Sequence, residues 1–109
     1  MPLATKITFS YDGKDYCLEY TRKTVRQMEE QGFVASRIDA APMTVLPDLF
    51  AGAFKANHKF TDRAVIDAIY DKMLDKKSLI DTLAQMYSEP ILALTTDGDE
   101  GNGITWATN

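Results

Sequence analysis

The N-terminal third of the chain alternates, turns, alternates again and then changes period. Between Ile7 and Tyr11, and again between Lys14 and Leu18, apolar residues fall on every second position, the spacing of a half-buried strand. Asp12-Gly13 between the two runs supplies residues that tolerate positive φ, as a two-residue hairpin turn requires. This placement sets Tyr11 against Lys14, Phe9 against Tyr16 and Ile7 against Leu18, and puts Ile7, Phe9, Tyr16 and Leu18 on one face. The other face carries Thr8 and Cys17 and sets Lys6 opposite Glu19, an opposite-charge pair worth roughly 0.2–1 kcal/mol. A slip of one residue would scatter the apolar set over both faces, so the register is well specified.

After Thr21 the period becomes helical. Thr21 is a suitable N-cap, Val25 and Met28 share one side, and Gly32 fits the left-handed position that ends a helix, with Phe33 following it to pack back on Met28. Two strands cannot stand alone, so a helix must cover the hairpin. Residues 34–42 have no clear period, although Val34 and Ile38 are placed to pin a loop. A second helical stretch is expected between Met43 and Lys59, starting between Pro42 and Pro47, with Met43, Leu46, Phe50 and Phe54 as its stripe and Leu49, Ala53 and Ala56 widening it. Pro47 requires the helix to begin within a turn of it. Gly52 inside this stretch points to a close helix contact, since glycine there costs about 1 kcal/mol relative to alanine.

Thr61 is expected to cap a third helix with Asp62 in its first turn and Val65, Ile66, Ile69, Tyr70, Met73 and Leu74 as its stripe. A fourth is expected from Asp75 or Ser78, with Ser78 and Asp81 spaced as a capping box and Leu79, Ile80, Leu83, Met86 and Tyr87 as its apolar face. Pro90 is expected to end or kink it, with Ser88 capping a short continuation through Ile91, Leu92 and Leu94. The pattern therefore gives an α+β domain over residues 1–94, an N-terminal β-hairpin packed on about four α-helices. Residues 95–109, rich in Asp, Gly, Asn and Thr, form a disordered, flexible acidic tail in which Trp106 is out of place.

Composition narrows the classes. A chain of 109 residues is one domain and buries about two thirds of its unfolded surface. No run of about 18 apolar residues occurs, so no membrane span is expected, and Met1–Lys6 lacks the features of a signal peptide. A single cysteine, Cys17, suits a reducing cytoplasm. Residues 1–60 carry eight Lys/Arg and seven Asp/Glu, whereas residues 61–109 carry four and nine. The acidic half argues against nucleic acid, which needs clustered cations.

The candidates for chemistry are few. His58 has no nucleophile or carboxylate close by in sequence and reads as a residue at a helix C-terminus, where its charged form is favoured. Cys17 lies mid-strand, away from the cations or helix N-terminus that activate a thiol. Counting a calcium loop from Asp97 places Gly101, Asn102 and Thr108 where positions 5, 6 and 12 need a ligand, glycine and glutamate, so that pattern fails. Asp62, Asp67, Asp71, Asp75 and Asp81 track the polar sides of two helices rather than a metal cluster. No catalytic residue, metal or cofactor is expected, and the chain does not read as an enzyme. The apolar stripes have two readings, a core or a groove for a helical partner lined by Phe50, Phe54, Met86 and Tyr87.

Several segments carry a family likeness: Tyr-Asp-Gly-Lys-Asp-Tyr-Cys-Leu-Glu-Tyr-Thr-Arg-Lys-Thr-Val at 11–25, Met-Glu-Glu-Gln-Gly-Phe at 28–33, Leu-Phe-Ala-Gly-Ala-Phe at 49–54, His58, and Met-Tyr-Ser-Glu-Pro-Ile at 86–91. The acidic Gly/Asn stretch around Trp106 belongs with them. Over nearly its whole length the chain resembles a family of short proteins from tailed bacteriophages and prophages of Gram-positive bacteria, similar to the tail assembly chaperones of long non-contractile-tailed phages. The resemblance implies a protein of the host cytoplasm that binds the tape measure protein and the tail tube subunit during morphogenesis, with homo-oligomers among its partners. It brings no catalytic residues, and the charge and hydropathy above add no nucleic acid and no membrane as partners. The alternatives are a structural or head–tail connector protein of the virion, or a small phage protein that binds a host factor.

Overall fold

A computed structural model describes residues 6–95 and 104–108. Its described residues form an antiparallel hairpin, β1 (Ile7–Tyr11) and β2 (Lys14–Leu18), followed by helices α1 (Arg22–Glu30), α2 (Pro42–Gly52), α3 (Arg63–Lys72) and α4 (Lys76–Leu92). The protein is thus α+β. The expected hairpin register holds along its length, from Ile7 opposite Leu18 to Tyr11 opposite Lys14. Asp12 and Gly13 both take positive φ (51° and 75°), the mirror-image turn whose twist matches that of the strands. Lys6 and Glu19 do not pair as expected. The Glu19 carboxylate instead accepts from Asn57 Nδ2 at 2.7 Å, a partner that sequence spacing does not reveal.

The α1 boundaries follow from local chemistry. Thr21 Oγ1 accepts from the Thr24 N–H while Thr24 Oγ1 accepts from the Thr21 N–H, a reciprocal box with threonine where glutamate is usual. At the other end the Phe33 N–H reaches Met28 O (2.9 Å) and the Gly32 N–H reaches Glu29 O (3.0 Å), with Gly32 at φ 96°. This is the Schellman stop. It turns the Phe33 ring onto Tyr87 of α4, with centroids 5.4 Å apart.

The later helices depart from expectation at their ends. A short 3-10 turn, Ala35–Ile38, precedes α2, which starts with Pro42 in its first turn and carries Pro47 well inside. The bond lost at Pro47 frees the carbonyl of Met43, an exposed residue whose carbonyl water can serve. Met43 therefore lies off the buried stripe, which runs through Val45, Leu49, Phe50 and Gly52. The helix stops at Gly52 rather than Lys59. Beyond it the Ala53, Phe54 and Lys55 N–H groups bond three residues back in tight turns. Gly52 is the close approach that its position suggested: a Cβ there would overlap the thioether of Met28 on α1.

Asp62, not Thr61, occupies the N-cap of α3, and its side chain makes no cap bond. The start of α4 has no capping box either. Asp75 takes the left-handed conformation (φ 52°), and Lys76 Nζ turns back to bond the carbonyls of Asp71 and Met73 at the end of α3. Ser78 offers only its carbonyl, to Thr82, and Ser88 bonds back to Ala84 O. Neither serves as a cap. Pro90 falls in the last turn of α4, where one missing bond is tolerated, and the helix runs through it to Leu92. The five aspartates Asp62, Asp67, Asp71, Asp75 and Asp81 are all exposed, as a solvated face requires.

One core joins hairpin and helices. Leu18, Val25, Met28, Phe50, Phe54, Ile69, Leu83 and Met86 meet in it. Tyr20 is buried there, and its hydroxyl donates to the otherwise free Leu49 carbonyl of α2 (2.5 Å). Burial holds that phenol well above its ordinary range, with neighbouring Tyr87 adding to the effect. A folded-state pKa raised above the unfolded value gives stability that is full below about pH 10 and lost above it, at about 1.4 kcal/mol per pH unit for one proton. Urea unfolding should show this alkaline fall. Tyr20→Phe should weaken the pH dependence and cost about 1 kcal/mol at neutral pH for the lost hydrogen bond.

Candidate functional site

Of the two readings of Phe50, Phe54, Met86 and Tyr87, core or partner groove, their burial bears out the core. Phe50, Phe54, Met86 and Tyr87 are 0%, 1%, 1% and 5% exposed. Phe50 meets Phe54 edge-on (5.2 Å between centroids) and also contacts Tyr70 (5.1 Å), while Tyr87 meets Tyr20 and Phe33 (both 5.4 Å). The two stripes are walls of the core, closed by other aromatic rings. Sequence spacing gives the face of a helix but not what covers it.

His58 and Cys17, 41 residues apart, are neighbours. The Cys17 N–H donates to His58 Nε2 (2.9 Å), Asn57 Nδ2 donates to the Cys17 carbonyl (3.1 Å), and the Glu19 N–H donates to Ala53 O (3.1 Å). His58 sits beyond the helix in the turn region, where its ring accepts from the β2 backbone rather than lying at a helix C-terminus. The segment Ala53–His58 thus closes the outer edge of β2 as a third strand would. These bonds use the His58 ring and the Cys17 backbone rather than its thiol, and the His58 ring is also packed on Tyr16 (5.0 Å). Among the described residues, no group of three or more His, Cys, Asp or Glu side chains is arranged to hold a metal ion, and no helix is long and apolar enough to cross a membrane. The calcium-like run from Asp97 to Gly103 and most of the expected tail lie outside the described residues. Thr95 and Ile104–Thr108 are exposed.

The surface that remains apolar lies elsewhere. The last turn of α4 and the residues after it expose Ile91, Leu92 and Leu94. Ile91 and Leu94, with Pro90, border a groove of about 580 Å³ whose opposite wall is α1, carrying Arg22, Lys23 and Arg26 against a single acid, Glu29. Arg26 is also 3.4 Å from Glu30, an exposed pair that leaves its charge available. The signal available in sequence was the apolar Ile91 and Leu94 beyond Pro90, read as a helix continuation, and the cations Arg22, Lys23 and Arg26 in the first half of α1. Sequence did not signal that the two are adjacent, because α1 and α4 lie at opposite ends of the chain. Chemically the groove offers an apolar floor with a cationic rim, which suits an amphipathic helix with acidic flanks.

No curated protein and no solved structure matches the chain. A family model described as a domain of unknown function, DUF5055, matches residues 2–109, and the chain belongs to that family.

Proposed function

We propose that this protein is a non-catalytic assembly chaperone of a tailed phage, working in the host cytoplasm and holding the helical tape measure protein until the tail tube forms on it. The family resemblance along the sequence motivates the reading. The observation that carries it is the groove between α1 and the end of α4, where Ile91 and Leu94 face solvent beside Arg22, Lys23 and Arg26. An unassembled tape measure protein presents long amphipathic helices, and an apolar floor with a basic rim binds such a helix through its apolar stripe and its acidic flank. Surplus negative charge on the rest of the chain keeps the complex soluble.

Co-expression with the tape measure protein of a tailed phage that encodes this chain tests this. The wild-type chain should raise that protein's soluble yield and co-purify with it. The double variant Ile91→Glu/Leu94→Glu changes only exposed positions, so it should fold as the wild type does and lose both effects. A partner that is equally soluble alone and forms no complex with the wild type sinks the chaperone reading. Recovery of the protein in purified particles would favour a structural or connector role instead.

A further inference from the structure

The two edges of the hairpin are treated differently. Antiparallel pairing across a two-residue turn directs the backbone groups of Tyr11, Phe9 and Ile7 toward β2, and those of Thr8 and Ser10 away from it. On β2 the outward groups are met by Ala53, Asn57 and His58. On β1, among the described residues, nothing bonds the outward N–H and C=O groups of Thr8 and Ser10. An uncovered edge strand of this kind is a template for another strand. On its core-side face Ile7, Phe9 and Tyr11 are only half-buried, so apolar surface continues to the open edge.

The chain also carries a strand without a sheet. Ile104-Thr-Trp-Ala-Thr108 is rich in β-formers and alternates Ile104, Trp106 and Thr108 on one side. Ile104 and Trp106 are 92% and 80% exposed, clear of the fold that precedes them.

We propose that Ile104–Thr108 of one molecule adds to the free β1 edge of a second copy as an antiparallel third strand. With Trp106 opposite Phe9, the pairs Ala107–Thr8 and Thr105–Ser10 use the outward backbone groups of β1, and Ile104 lies opposite Tyr11. In this register Trp106 and Ile104 extend the apolar face already begun by Phe9 and Tyr11, and a Trp–Phe cross-strand pair is among the stronger ones. The antiparallel direction gives the straight, closely spaced pairs of backbone bonds at Thr8 and Ser10, and it sets Ile104 at the hairpin tip beside Tyr11. Because each copy offers one edge and one strand, the contact joins head to tail or closes reciprocally in a dimer.

Trp106 is the only tryptophan, so its fluorescence reports this contact directly. The purified full chain should be taken from low micromolar to near-millimolar concentration, with mass read by light scattering and emission read in parallel. Mass should rise and emission should move to the blue together, with one midpoint. Ala107→Pro removes an N–H that the added strand donates and lies outside the folded core. It should melt as the wild type does and abolish both changes. A chain that stays monomeric with solvent-exposed emission throughout overturns the proposal. So does a blue shift independent of concentration in a monomer, which would place the strand on its own molecule. So does an Ala107→Pro variant that assembles like the wild type, which would place the contact elsewhere.

Discussion

Phe50→Ala is expected to destabilise the protein by about 3–5 kcal/mol, the cost of deleting a fully buried aromatic ring whose neighbours close only partly around the void. The ring lies between Phe54, in the turns that follow α2, and Tyr70 of α3, so the cavity is walled by aromatic rings that are themselves packed in the core. Against a total of about 5–15 kcal/mol for a domain of this size, that is a large share. Urea unfolding should show the midpoint falling sharply with little change in slope, as expected for a loss of stability without a new denatured state. Leu94→Ala is the matched control. It removes an apolar side chain from the exposed groove and should change stability by no more than about 0.5 kcal/mol. The pair of variants separates core from docking surface. If Phe50→Ala were to keep full stability and lose the partner, Phe50 would belong to a binding groove after all.

The confusion between those two roles shows what the chain makes legible and what it does not. The hairpin was readable to the residue because its determinants are local: Asp12-Gly13 permits one turn, and alternation on either side permits one register. The helix from Thr21 to Gly32 was readable for the same reason, with both ends signalled by residues whose chemistry closes the backbone there. Ends set by tertiary contacts were not. Lys76 satisfies the carbonyls at the end of α3 from the start of α4, so the capping box that Ser78 and Asp81 spell out in sequence is never needed. Met43 fits the helical stripe by spacing but lies at the solvent side of the first turn of α2. The α4 stripe holds in full, whereas Met43 in the second stripe and Val65 and Leu74 in the third are exposed. Periodicity fixes which side chains share a face, while the identity of the covering surface depends on chain packing that no local window contains. For Phe50, Phe54, Met86 and Tyr87 that surface is the protein itself. For Ile91 and Leu94, at the open end of the same bundle, the described residues leave it open to solvent.

His58→Ala is expected to cost about 2–3 kcal/mol, since it removes two things at once. The Cys17 N–H loses its acceptor, and the ring packed between Tyr16 (5.0 Å) and Phe54 (6.3 Å) is lost with it. His58→Phe divides the two effects. It keeps a flat aromatic group against Tyr16 and supplies no acceptor, so its cost should be about 1–2 kcal/mol, the share due to the stranded donor. Amide hydrogen exchange at Cys17 gives the sharper readout. Protection there should fall in both variants, whereas the Tyr16 and Leu18 amides, bonded across to β1, should keep most of theirs. If the phenylalanine variant is as stable as the wild type and Cys17 stays protected, ring packing alone holds this edge and the histidine nitrogen contributes nothing. If the expected pattern appears, the lone histidine has a defined task. It shields one edge of the hairpin from pairing and leaves β1 as the edge at which another strand is free to add.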